Sequence, residues 1–275
     1  MHLSSAMLLL TVLATPPAAA EAPPSPSKAA CPSALRVVVD PQELKKQVRA
    51  ATTTAGLRKL LHPLGLDSAW EQLECLKEEG PASAQLDVFR ARILSADTQD
   101  VVLQARGQLC EGNKLLAGVV LHPLSAKNTF CAIPMEFLPG SAEGESLRVV
   151  FSFENLTDPV RQVFRVEMTE TDARNEDETL SYWEAQEGRL RSIFTIKSTS
   201  HMGFVHGGTD VKVTPVGDTF PRVLEIKESS TNCGRFTDMP SGESVYDSSC
   251  TDAANEARMC YRRKSPGEPG RYDKC

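Results

Sequence analysis

The chain has 275 residues, of which 24% are charged and 6% aromatic, and a formal net charge of −6. That length suffices for one large core or two modest ones. The acidic balance argues against nucleic acid as a partner. In chain order, positions 6–14 (AMLLLTVLA) form a short apolar run, Pro16 and Pro17 follow, and Ala18, Ala19 and Ala20 supply the small side chains of a signal-peptidase site. The run is too short to span a bilayer, and nothing later reaches about 18 consecutive apolar residues. Residues 1–20 therefore read as a signal peptide, with the rest secreted or periplasmic and without a transmembrane segment. Lys28 stands three positions before Cys31, where a lipid-modification site needs an apolar residue, so Cys31 reads as a half-cystine.

Residues 21–33 form a Pro/Ser-rich linker, and 34–82 a helical N-terminal segment. A β-branched run at 36–39 leads into Asp40, Pro41 and Glu43, which suit the N-cap, N1 and N3 positions of a helix. Leu44 and Val48 share one face of it, with Lys45, Lys46 and Arg49 turned to water. Gly56 and Pro63 interrupt the pattern. A second helix is predicted at 68–78, burying Trp70, Leu73 and Leu76 and stopped by Gly80 and Pro81.

The texture then turns to a β-rich domain over 83–230. Strands are predicted near 87–93, 101–109, 115–121, 130–137, 148–153, 162–169, 179–184, 190–197, 211–214 and 223–229. Between them lie turn signals at Glu111-Gly112-Asn113, Pro139-Gly140, Asp158-Pro159, Glu187-Gly188 and Val216-Gly217-Asp218. Alternation is clearest where Phe164 and Val166 interleave with Arg165 and Glu167. The connections leave no room for crossover helices, so pairing should be antiparallel. Residues 231–275 are rich in Ser, Gly, Asp and Pro and hold four cysteines, whose bridges should substitute for a core. The expected fold is thus mainly β. It is an antiparallel β-meander packed as a sandwich, an irregular barrel or a partial propeller, with a small N-terminal helical layer and a disulfide-braced C-terminal tail.

The cysteines are Cys31, Cys75, Cys110, Cys131, Cys233, Cys250, Cys260 and Cys275, an even set behind a signal peptide with no Cys-x-x-Cys spacing. This favours disulfides over zinc or thioredoxin-like chemistry. Sequence proximity suggests Cys31–Cys75, Cys110–Cys131, Cys233–Cys250 and Cys260–Cys275, with the last four interchangeable. Charge is uneven: 143–187 holds twelve acidic and four basic residues, a balance of −8, whereas 258–275 holds six basic and two acidic, or +4. These read as a solvated acidic face and a basic tail, with a contact between the two segments as the alternative.

Two stretches also resemble uncharacterised exported β-rich proteins of myxobacterial type. They are Asp97-Thr98-Gln99-Asp100-Val101-Val102-Leu103-Gln104, and Leu180-Ser181-Tyr182-Trp183-Glu184 with Gly188-Arg189-Leu190 and Ile193-Phe194. The resemblance covers about 86–229 and implies a meander somewhat like propeller blades, with no activity attached.

Candidate sites come from polar clusters. Glu170, Asp172, Glu176, Asp177 and Glu178 are dense enough in hard oxygen ligands to suggest Ca²⁺, although Asp-x-Asp-x-Asp-Gly order is missing and a charged hairpin loop explains them as well. Asp97 and Asp100 form a similar acidic pair, read as an Asp-capped turn before a strand. The glycine-rich loop at 200–210 offers His201, His206 and Asp210 for a metal or a His/Asp catalytic pair. Tyr182 and Trp183 are adjacent on a strand, so one should be core and the other exposed. Leu61-His62-Pro63-Leu64 recurs as Leu121-His122-Pro123-Leu124, but the flanks differ and the match reads as coincidence. No nucleophile elbow, His-Glu-x-x-His or phosphate loop occurs. The sequence thus points to an exported, non-catalytic binding or envelope-associated structural protein. Its partner would be an unknown protein or envelope component. The alternative is a secreted hydrolase around the 201–210 loop.

Overall fold

The structure is a computed structural model that describes residues 31, 35–66, 80–110, 113–143, 147–171, 175–202, 207–238, 244–263 and 268–275. Helix α1 (Pro41–Ala50) starts where the sequence requires. Asp40 accepts hydrogen bonds from the backbone N–H groups of Gln42 (2.9 Å) and Glu43 (3.1 Å), and Leu44 and Val48 are buried. A second helix, α2 (Thr54–Leu61), forms in the stretch that Gly56 was expected to interrupt. The Thr53 hydroxyl accepts from Gly56 N at 3.1 Å, and Leu57 and Leu61 are buried one turn apart. Capping and burial outweigh a glycine in the first turn, which costs about 1 kcal/mol. The helix predicted at 68–78 lies outside the described residues.

Two antiparallel sheets follow. The first contains β1 (Arg36–Val38), β2 (Ser83–Ala91), β3 (Asp100–Cys110), β4 (Asn113–Pro123) and β5 (Thr129–Pro134) in the order β1-β5-β4-β3-β2, with β6 (Gly140–Glu143) alongside β4. Its alternating residues face two cores. Leu103, Ala105, Val119 and Leu121 pack under the helices with Val48, Leu57 and Leu61. Val102, Val120 and Ile133 point the other way, onto Val149, Phe164 and Val166 of the second sheet. A strand buried on both faces reads as a near-continuous apolar run, as β3 and β4 do.

The second sheet is an uninterrupted meander: β7 (Leu147–Glu154), β8 (Val163–Thr171), β9 (Asn175–Gln186), β10 (Arg189–Met202), β11 (Gly207–Val216), β12 (Val223–Asp238), β13 (Ser244–Arg262) and β14 (Arg271–Lys274). The β9–β10 turn is the predicted Glu187-Gly188 pair, both with positive φ (52° and 75°), as a tight hairpin demands. This sheet cannot be flat. Four strand-to-strand steps separate β10 from β14, about 19 Å at the usual spacing. Yet the rings of Phe194 on β10 and Tyr272 on β14 lie 6.3 Å apart. The sheet folds back on itself without closing into a barrel. Its inner leaf, β7–β10, and outer leaf, β11–β14, enclose a third core containing Leu180, Tyr182, Phe194, Leu224, Ile226 and Tyr272.

The inner leaf is consequently covered on both faces, and this corrects the expectation for Tyr182 and Trp183. Tyr182 is fully buried between the leaves, while Trp183 packs against the core shared with the first sheet. Neither side chain is an exposed anchor. The tail is also more regular than expected. β12 runs straight through position 231, and Met259, Tyr261 and Tyr272 pack into the third core. Past the last β11–β12 pair, Gly208↔Thr231, β12 and β13 continue as a two-stranded arm.

Cys233–Cys250 and Cys260–Cys275 form as expected and brace this C-terminal region. Cys31 instead bridges Cys131, so neither Cys31–Cys75 nor Cys110–Cys131 exists. The reason is the register of β1, which lies against β5 with Arg36 opposite Cys131 and so brings the chain just before it to that cysteine. Cys75 and the side chain of Cys110 lie outside the described residues.

Candidate functional site

A surface cleft follows from the way β10 and β11 part. They pair over only four positions, from Met202↔Gly207 to Thr199↔Asp210. A bulge between Lys197 and Thr199 then turns β10 toward β9, where the Ser198 hydroxyl donates to the Glu178 carbonyl at 3.2 Å. β11 keeps to β12 over nine pairs. The parting strands leave a cleft of about 390 Å³. Its floor is Ile196, Val211 and Ile226, the far end of the third core. Its walls carry Lys197, Thr199, Ser200, Thr209 and Glu228. Lys197 is ion-paired with Asp177 at 2.7 Å, and Glu228 accepts from Asn255 Nδ2 at 3.4 Å.

The loop singled out in the sequence borders this cleft. The register places His201 opposite Gly208 and Glu176, and Asp210 opposite Thr199, while His206 lies outside the described residues. The acidic set is spread along a hairpin. Glu170 stands opposite Asp177, with Glu176 opposite Thr171 and Glu178 opposite Thr169. Strand alternation turns Asp177 away from Glu176 and Glu178. Asp172 lies outside the described residues, and among those described no three His, Cys, Asp or Glu side chains gather around a common point.

A second constellation was not singled out as a site. Asp100 is fully buried at the start of β3. One carboxyl oxygen accepts from the backbone N–H groups of Ile93 and Leu94, both at 2.8 Å, and the other lies 2.6 Å from His122 Nδ1. The carboxyl thus ties down the loop before β3 and orients an imidazole that is about one-quarter exposed, 27%. Counting outward from the predicted turn at Glu111-Gly112 brings Asp100 near His122, a signal available in the sequence.

A third polar array lies between the leaves. The Glu184 carboxyl accepts from Tyr261 Oη and Gln186 Nε2, both at 2.7 Å, and from the Thr157 hydroxyl. Gln186 also donates to the Gly270 carbonyl at 3.2 Å, and Tyr272 Oη donates to the Arg222 carbonyl at 2.8 Å. The acidic and basic segments therefore do meet, chiefly through neutral donors on a carboxyl. Burial foremost, then the neighbouring carboxyls, pushes the Tyr182 and Tyr261 phenols far above their usual range; burial and then Tyr261 does the same for Tyr272.

No family, curated protein or solved structure matches this chain. The tyrosine array is buried and joins leaf to leaf, which is a structural role. Asp100 and His122 could position a proton acceptor. The cleft alone combines concavity, an apolar floor and a polar rim.

Proposed function

We propose that this is an exported, non-catalytic binding protein whose ligand, an envelope component or another protein, seats in the cleft between β10 and β11. The observation that carries the reading is the parting of these strands after four pairs, which opens an apolar floor to solvent. Ligand sites commonly have about this size and this mixture of apolar walls with a few polar groups. Export is supported by the disulfides, which persist in oxidising compartments. The absence, among the described residues, of a helix long and apolar enough to cross a membrane is compatible with it. Net acidity weighs against nucleic acid.

Nile red, a neutral apolar dye, should brighten on the native protein. It should stop doing so in Val211→Trp, which fills the floor, at an unchanged melting temperature. Equal brightening of a folded Val211→Trp protein would sink the proposal.

A second reading, a secreted hydrolase, draws on the 2.6 Å Asp100–His122 pair, the arrangement by which a buried carboxyl orients a general base. Turnover of an aryl ester that His122→Ala abolishes would establish it and displace the first reading. A rate unchanged by that substitution would remove it.

A further inference from the structure

Accepting that the cleft binds, we infer that its occupant is an extended, basic peptide segment, added as a strand to the edges that β10 and β11 leave open. Two independent features lead there. The first is the backbone. Beyond Thr199↔Asp210, β10 pairs with β9 alone and β11 with β12 alone, so the edges that face each other carry no strand-to-strand pairing. Such an edge is a template for another strand, whose main chain supplies affinity while alternate side chains enter pockets. Ile196, Val211 and Ile226 would receive every second side chain of the incoming segment.

The second feature is charge. Glu228 stands on the cleft wall, Glu178 lies opposite Thr199 in register, and Glu176 lies opposite His201. The cation of the wall, Lys197, already sits 2.7 Å from Asp177. An incoming strand whose outward positions are Lys or Arg complements this rim, whereas an acidic strand is repelled by it. The hydroxyl oxygens of Thr199, Ser200 and Thr209 accept hydrogen bonds from such side chains without opposing their charge.

The test uses the full-length protein and two synthetic peptides of equal length, one alternating valine with lysine, the other valine with glutamate. The lysine peptide should bind at least about tenfold more tightly at low salt, and lose that advantage as salt is raised. Hydrogen exchange should slow at amides of 196–198 and 211–213 and not elsewhere. Glu228→Lys, a half-exposed position, should weaken the lysine peptide about tenfold without changing the melting temperature. Equal binding of the two peptides, or protection confined to other strands, overturns the inference. So does slowing of the same amides with protein concentration alone, because the occupant would then be a second copy of the chain. If Nile red distinguishes the native protein from Val211→Trp while neither peptide protects these edges, strand addition fails and cleft binding stands. If the dye also fails, both readings fall.

Discussion

In β3, Val101, Val102, Leu103, Gln104 and Ala105 are buried in succession, whereas on β13 every side chain from Ser249 to Glu256 is exposed. The two strands belong to one compact unit, yet different forces hold them. The first sheet and the inner leaf are stacked so that each has two covered faces. The outer leaf has one covered face near its root, and along its arm the cross-strand Cys233–Cys250 bridge clamps β12 to β13. An isolated two-stranded ribbon is marginal in water, so a covalent clamp suits the arm and is superfluous in β3. The lesson is that bridges here brace the periphery while burial holds the body.

That contrast can be broken or sharpened by three measurements. The largest expected effect is in the body. Phe164 is fully buried and touches the rings of Phe137, Phe151 and Phe153, so Phe164→Ala should cost about 4 kcal/mol in chemical denaturation. A loss below about 1 kcal/mol would mean that the stacked sheets are not what stabilises the chain.

Alkaline pH should act next, and on the seam between the leaves. Tyr182, Tyr261 and Tyr272 have folded-state pKa values raised above the unfolded value. Their contribution is complete below about pH 10, the ordinary tyrosine pKa, and is lost as pH rises toward the folded values. Tyrosinate absorbance should therefore appear together with loss of exchange protection in β12–β14, before β3 and β4 open. Ionisation of all tyrosines with β12–β14 still protected would contradict the placement of these phenols.

The smallest effect should follow removal of the arm's clamp. The double change Cys233→Ser and Cys250→Ser should cost about 1 kcal/mol, below the ~2–4 kcal/mol typical of a bridge, because little else depends on the arm. Exchange should quicken beyond Thr231 only. A cost matching that at Phe164 would show that the bridge supports the body after all.

Most strands were legible because their apolar runs and turn residues are local signals; all ten predicted ranges overlap β2–β5 and β7–β12. What escaped was non-local. The pattern of β9 announces a strand but not which sheet will cover its second face, so Tyr182 and Trp183 read as one buried and one exposed side. β13 has the composition of a loop, and only its pairing with β12 makes it a strand. Cys31 meets Cys131 through the placement of β1 beside β5, which sequence proximity cannot reveal. The 201–210 loop was singled out for its histidines, and it borders the cleft for another reason, the bulge beside Ser198. His122 was set aside as part of a chance repeat, though its partner lies directly across the β3–β4 hairpin.

The Cys31–Cys131 bond has a topological consequence. It closes a covalent ring spanning 100 residues of sequence, within which lie both helices and β2, β3 and β4. A single nick anywhere in that ring leaves one molecule, its two pieces still tethered through sulfur. Proteolytic clipping between the helices and the first sheet therefore cannot shed the helical layer until a reductant also reaches the bond.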